Sequence, residues 1–350
     1  MTVETAAVIE NPGSEDARPR SRPGQGPWAL ALRKLVSDRA AMVALAVLAL
    51  ITVICVAAPL YASAIGQDAF RSNLDAQITI GGQQVPVLEQ STEGLGLGYT
   101  PIGPTWSLRG FFLGADNQGR DVFSRLLYGG RNSLLIAAAA TLLSLIFGTI
   151  VGTSAGFFGG IIDTVLSRLM DILWAFPIYL LAICLSVVLI NQGMKIGPIE
   201  ISSGSLFLPI FIIGVVYIPY VARPIRGLVL SLRRSEFVLA AIGLGVPSSR
   251  ILYRDVLPNV FPLLIVFVPI MMAIDMLVEA ALSFLTIGVQ PPDSSWGSIV
   301  QDGIGLLYTR PWVAMSGGIA IAITVLALNV LGDGVRDALD PKAKLRIGAK

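Results

Sequence analysis

Charged side chains vanish from six stretches of this chain. Residues 40–67, 132–162, 172–194, 201–222, 256–274 and 311–332 contain no Asp, Glu, Lys or Arg. A helix rises 1.5 Å per residue, so about 20 apolar residues cross a hydrocarbon core of about 30 Å. Six stretches of about that length predict six transmembrane helices. The fifth is expected to run on past Asp275 and Glu279 to about Gly288, because the residues around those two acids stay apolar. Only helices or closed barrels satisfy their backbone groups in lipid, so the helices are expected to bundle. The pattern therefore predicts an all-α polytopic membrane protein.

The polar remainder divides around these spans. Residues 1–27 hold Pro12, Pro19, Pro23 and Pro27 among glycines and mixed charge, which predicts a disordered tail. Residues 28–67 read as a short interfacial helix followed by an uncleaved first span. Residues 68–128 form a long loop. Within it, Gln77-Ile-Thr-Ile-Gly-Gly-Gln-Gln-Val-Pro-Val87 alternates around Gly81-Gly82 and predicts a β-hairpin, with Pro86 confining its second strand to an edge. Residues 129–341 form the core, with a loop at 231–258 between the fourth and fifth spans. Residues 342–350 form a second tail. Most of the 25 lysines and arginines lie in the N-terminal flank, the 223–254 region and the C-terminal tail. The positive-inside rule then makes that side, with both termini, cytoplasmic. The 68–128 loop and a second loop at 291–310 face outward.

Composition narrows the chemistry. The chain is 54% hydrophobic and 14% charged with a net charge of +2, which argues against a nucleic-acid binder. It has no histidine, which removes Ser-His-Asp and Cys-His catalysis and imidazole metal ligation. Its two cysteines, Cys55 and Cys184, lie in apolar runs and read as small hydrophobes. No G-x-x-x-x-G-K-[ST] phosphate loop occurs, so this chain is not expected to bind or hydrolyse ATP. Gly156-Phe-Phe-Gly-Gly reads as a tight turn and a close-packing site.

The loop at 231–258 is the most informative segment. Residues 236–244 can form a short helix in which Ala240, Ala241, Gly243 and Gly245 leave a surface of small residues. Pro247 ends that helix, Ser248 or Ser249 can cap the next, and Pro258 is expected to break the chain before the fifth span. A short helix held between two spans is a mechanical handle. The segment resembles the EAA loop of permease subunits in bacterial ATP-binding-cassette importers. The family pattern falls on Leu239-Ala240-Ala241, Gly245 and Leu257-Pro258. Leu239 stands where the family has glutamate, and Glu236, one turn earlier, is a candidate for the anchoring role. Arg250 lies between the two halves of the pattern.

Other segments resemble the dipeptide, oligopeptide and nickel branch of that family. Leu113-Gly114-Ala-Asp116-Asn-Gln-Gly119-Arg120-Asp121-Val-Phe-Ser-Arg125 is similar to its L-G-T-D-x-x-G-R-D-x-x-S-R signature. Similar segments follow at Gly156–Asp163, Asp171–Pro177, Glu279–Pro292 and Asn329–Pro341. The resemblance implies a type I ABC-importer permease fold and half of a transmembrane pathway shared with a second permease subunit. One or two cytoplasmic ATP-binding subunits would hold ATP and Mg and grip the loop near Ala240–Gly245. An extracytoplasmic binding protein would deliver a di- or oligopeptide in the bacterial cytoplasmic membrane. The branch also includes importers of nickel and other small solutes.

Two features leave readings open. Asp275 and Glu279 lie four residues apart on one face of the fifth span, where a charge costs about 2.5–3.5 kcal/mol. With Ser283 they either line the pathway and touch the partner permease, or bond between helices. As a proton relay they would suit a proton-coupled secondary transporter working without ATPase partners. Asp121 and Arg125 have the spacing of an i,i+4 ion pair and read first as a scaffold at a helix start.

Overall fold

A computed structural model describes residues 27–66, 68–80, 83–90, 98–196, 199–202 and 204–339. Helix α1 (Pro27–Ser37) leads into α2 (Arg39–Val56), whose N-terminus is capped by the Asp38 carboxylate accepting from the Ala40 and Ala41 amides. A short α3 (Ala58–Ile65) completes the first crossing. The tail expected at 1–27 lies outside the described residues up to residue 26, and the 342–350 tail lies outside them altogether.

The loop that follows carries β1 (Gln77–Ile80), β2 (Gln83–Pro86), β3 (Leu88–Gln90) and β4 (Tyr99–Pro101) as two antiparallel hairpins. Ile80 pairs with Gln83 and Gln77 with Pro86, so the expected hairpin forms in the expected register. Its Gly81-Gly82 turn lies outside the described residues. Ala76, Val87, Ile102, Phe111 and Ala115 make a small core beneath the hairpins.

The membrane bundle follows. Helix α4 (Val122–Phe158) is 37 residues long. It starts ten residues before the charge-free run does, because Arg125 and Arg131 lie inside the helix. Helices α5 (Gly160–Trp174) and α6 (Ile178–Gln192) meet at an angle of 85°. The third crossing is therefore bent. The break follows from Pro177, which has no amide to donate and sits at the N-cap of α6. A hairpin of β5 (Met194–Ile196) and β6 (Ile199–Ile201), which the sequence pattern does not announce, separates α6 from α7 (Phe207–Val216). Helix α8 (Ile218–Leu232) extends α7 after a break at Tyr217, and Pro219 opens its first turn.

After α9 (Glu236–Gly243) come α10 (Ser248–Ile251), a π-helical turn (Leu252–Val256) and α11 (Leu257–Phe284). These last three form one continuous 37-residue helix, so Pro258 does not break the chain. The wider π turn immediately ahead of Pro258 accommodates a ring that an α-helical ladder would reject. Neither serine caps this helix: Pro247 occupies the N-cap with no side-chain bond. Helix α12 (Trp296–Gly303) is a short segment with a Ser295–Ser298 capping box. Helix α13 (Trp312–Leu339) makes the last crossing. Among the described residues, five helices or helix pairs are long and apolar enough to span a membrane, and six are if the bent pair counts as one.

The bundle is organised around α4. Gly148, Gly152 and Gly156 stand one helical turn apart along its face towards α8. A Cβ added to Gly148 would lie 2.7 Å from Val221 Cβ, at Gly152 2.5 Å from the Ala222 carbonyl oxygen, and at Gly156 2.8 Å from the Arg226 carbonyl oxygen. Small residues spaced by four let two backbones approach this closely. Gly152→Leu is expected to cost at least about 1–3 kcal/mol by forcing α4 and α8 apart. Gly227→Ala, whose added Cβ meets nothing within 4 Å, should be neutral. Thermal unfolding of both variants in detergent checks this, and equal midpoints would contradict it.

Candidate functional site

The segment between α8 and α11 forms a rigid arm. Ser235 has extended backbone, and its hydroxyl donates to the Leu232 carbonyl (2.5 Å) rather than to the start of α9. Glu236 is exposed in the first turn, where its charge suits the helix dipole. Val238 is fully buried in the core cluster that also holds Ile251, Leu252 and Val256, and half-buried Ala241 and Leu257 pack against it. The rest of its surface is bare. Phe237 and Leu239 flank Val238, Ile242 lies one turn beyond it, and all three are exposed along with Ala240, Gly243 and Leu244. The arm therefore offers an apolar face with small residues set into it, rather than the small-residue surface that its alanines and glycines suggest. Arg250 and Pro258 are exposed at its far side.

Gly245 has a different role from Gly243. Its φ of +73° is left-handed. The Val246 amide donates to Ala241 O (3.1 Å) and the Gly245 amide to Ile242 O (3.0 Å), the paired bonds of a Schellman end. Gly245 is set by backbone geometry, so a bulky residue there disturbs the cap as well as any docking. Ala240 and Gly243 are the positions at which bulk tests docking alone, since nothing lies within 4 Å of a Cβ added to Gly243.

The signature at 113–125 builds a buried ion cluster at the opposite end of the bundle. Asp116 Oδ2 accepts from Arg120 Nε and from Arg125 Nη1, each at 2.7 Å. Arg125 Nη1 also reaches Asp302 Oδ2 of α12 at 2.7 Å, and Arg120 Nη2 reaches it at 3.4 Å. The expected Asp121–Arg125 pair does not form. Asp121 is the N-cap of α4: Oδ1 accepts from the Ser124 amide (2.8 Å), and Oδ2 accepts from the Phe111 amide. The free amides of a helix start need an acceptor, and Asp121 is placed to be one. Burial pushes its carboxyl up from the usual carboxylate range, opposed by those backbone donors. Leu113 packs against Val122, Leu306 and Val313. Gly114 and Gly119 have φ of +89° and +71°, and a Cβ at Gly119 would strike the Asn73 carbonyl oxygen. A cavity of about 370 Å³ opens beside the cluster, lined by Arg120, Arg125, Ser298, Gln301 and Asp302.

Asp275 and Glu279 are both fully buried between α4 and α11. Thr141 Oγ1 donates to Asp275 Oδ2 (2.7 Å). Ser133 Oγ donates to Glu279 Oε2 (2.9 Å) and Ser283 Oγ to Oε1 (2.7 Å). Ser283 also accepts from the Val289 amide (3.1 Å) and Ser133 from the Trp296 amide (3.1 Å), so this network holds α12 to the bundle. In this conformation neither carboxyl reaches a surface, and both bond to α4, the second of the two readings open for them and Ser283. A second polar seam joins α5 to α8. Asp163 accepts from Arg226 through Nε (2.5 Å) and Nη2 (2.7 Å), and Asp171 from Arg223 (2.9 Å), whose guanidinium lies 4.3 Å over the Trp174 ring. The sequence pattern does not single out Asp302, Ser133 or Thr141. The hydroxyls of Ser133 and Thr141, two turns apart on α4, are the one signal that points to them. Among the described residues no group of three or more His, Cys, Asp or Glu could hold a metal ion.

Comparison with known proteins accounts for most of the chain. Residues 144–345 match the family model described as binding-protein-dependent transport system inner membrane component. Residues 26–75 match the N-terminal TM domain of oligopeptide transport permease C. The dipeptide transport system permease protein DppC of Alkalihalophilus pseudofirmus is 33% identical over 345 residues, covering 98% of this chain and 100% of that protein. The oligopeptide transport system permease protein OppC of Bacillus subtilis is 33% identical over 329 residues, 94% of each chain. A putative peptide transport system permease protein of Brucella abortus is 42% identical over 233 residues, 67% of this chain and 74% of that one. Among solved structures, an inward-facing native crystal form of the MetNI methionine ABC transporter superposes with a TM-score of 0.51 at 20% identity, covering 62% of this chain and 97% of that one.

Proposed function

The chain belongs to the binding-protein-dependent transport system inner membrane components, and from that premise we propose that it forms half of the pathway of an ATP-driven importer of di- and oligopeptides. It is a permease subunit and not itself an enzyme. A second permease subunit completes the pathway. One or two cytoplasmic subunits bind ATP and Mg, and an extracytoplasmic protein delivers the peptide. Both termini are cytoplasmic.

One observation carries the reading. Helix α9 exposes Phe237, Leu239 and Ile242, while Val238 among them is locked into the core shared by α8 and the start of α11. A force applied to the exposed face therefore moves two spanning helices together. A transporter needs such an element, whose two arrangements both ligands bias. The peptide class is supported by relatives named for dipeptides and oligopeptides. The test is uptake of labelled di- and oligopeptides by proteoliposomes holding the chain with its companion subunits. Accumulation should require ATP and the binding protein. Uptake driven by a proton gradient alone would refute the proposal, and nickel uptake without peptide uptake would move it to another solute.

The buried carboxyls supply a separate check. Asp275→Asn keeps an acceptor for Thr141, and Glu279→Gln keeps one for a single serine while its amide nitrogen can donate to the other hydroxyl, so peptide uptake should persist. Glu279→Leu leaves two serine hydroxyls without their partner and should destabilise the chain by about 1–3 kcal/mol. Loss of uptake by the stably folded double amide variant would restore a role for these side chains in the pathway.

A further inference from the structure

The loop ahead of α4 has a tip that neither the crossings nor the arm uses. Trp106 and Phe111 both have positive φ, +52° and +54°, a region that side-chain-bearing residues seldom occupy. Thr105 closes the turn: its hydroxyl bonds to Gly110 O (3.0 Å), and its amide to Phe111 O (3.2 Å). The outcome is that Trp106 and Leu108 are held 58% and 65% exposed, away from the small core that takes Phe111. Such strain persists only where the surroundings enforce it, and it concentrates at functional positions.

Trp106 begins a row of aromatic rings. It stands edge-on to Trp312 at 5.7 Å and to Phe112 at 5.6 Å. Phe112 continues to Phe123 (5.2 Å), and Phe123 to Tyr61 (5.0 Å). The row therefore touches α3, α4 and α13. Its depth can be measured along α13, which runs unbroken from Trp312 to Leu339. Asp333 marks where charge resumes at the far end. The rise is about 32 Å from Asp333 to Trp312, at 1.5 Å per residue. That matches a hydrocarbon core of about 30 Å. The row thus lies at the membrane boundary, and Arg310 fixes the loop there by donating from Nε to Pro101 O (2.6 Å) at the start of α13.

We infer that the tip formed by Trp106 and Leu108 is a lipid anchor, seated in the headgroup layer of the leaflet on the hairpin side. Indole rings favour that layer because one edge is apolar and the other donates a hydrogen bond. Exposed Arg109 beside the tip suits the phosphate level. The bilayer is chosen as occupant because the patch is continuous with Trp312, which α13 itself places at its edge. The inference is independent of what the importer carries. A nitroxide at Leu108→Cys tests it, in the full chain with Cys55→Ala and Cys184→Ser, reconstituted in phosphatidylcholine nanodiscs. Molecular oxygen should relax this label more than a water-soluble nickel chelate does. The same label at Asn117, exposed beside the Asp302 cavity, should show the reverse order. If the Leu108 label follows the Asn117 order, the tip faces water. If neither reagent reaches it, protein covers the tip. Either result overturns the anchor.

Discussion

Arg125→Met is expected to unfold the hairpin-side end of the bundle at markedly lower temperature, with a loss of about 3–5 kcal/mol. The loss comes from what the guanidinium leaves behind. Asp116 and Arg125 are both almost wholly buried, and Arg125 Nη1 bridges Asp116 and Asp302 at 2.7 Å each. Without it, two carboxylates share the single guanidinium of Arg120, whose contact with Asp302 is already long at 3.4 Å. Removing one partner of a buried set costs more than the set contributes, because the remaining charge stays desolvated. Arg125→Lys should recover only part of the loss, since a compact ammonium lacks the planar fork that suits two carboxylates. Asp302→Asn should cost less than Arg125→Met, because the Asp302 side chain keeps 30% of its exposure. Thermal unfolding of the purified chain in detergent would contradict the account if Arg125→Met matched the parent midpoint.

Ala240→Trp should leave the chain folded and inserted while peptide uptake drops on the order of a hundredfold. Coupling between two sites is commonly 1–3 kcal/mol, about 5–150-fold in the coupled equilibrium. A bulky ring on the exposed face of α9 would prevent a partner groove from closing over Leu239 and Ile242. Ala240 is exposed, so the substitution meets no packed neighbour within the chain. The informative readout is the pair of rates, uptake and ATP hydrolysis. Uncoupling predicts hydrolysis that no longer responds to peptide and binding protein, with normal yield of the inserted chain. Unchanged uptake would remove α9 from the mechanism.

Much of the architecture is legible in the sequence because lipid imposes a simple rule. A crossing must be long, apolar and helical, so the charge-free runs locate the crossings and the resemblance of 113–341 supplies their order. The misplacements have physical reasons. The start of α4 is hidden because Arg125 and Arg131 look like loop residues, whereas Arg125 is neutralised by Asp116 and Asp302. The bend between α5 and α6 follows from Pro177, but the start of α5 at Gly160 is hidden because Asp163 and Asp171 find cationic partners on α8. Asp302 cannot be read at all, since a contact across so many residues leaves no trace in local spacing. The glycines at 148, 152 and 156 do carry a signal, since a four-residue spacing of small residues on a spanning helix favours a close crossing. Gly245 stands out for its size, but its place is fixed by a left-handed backbone that a sequence pattern does not distinguish from a demand for smallness.

The claim on which the mechanism stands is that α9 lies in the grip of an ATP-hydrolysing subunit. Cysteines at Leu239 and Ile242, in a chain with Cys55→Ala and Cys184→Ser, place reactive groups at two exposed positions of that helix. Treated with a short bifunctional reagent in the assembled transporter, both should cross-link to the ATP-binding subunit, with yields that change between the nucleotide-free and ATP-bound states. Cysteines that instead remain open to a water-soluble maleimide in the complete complex, and form no cross-link with or without nucleotide, would contradict it.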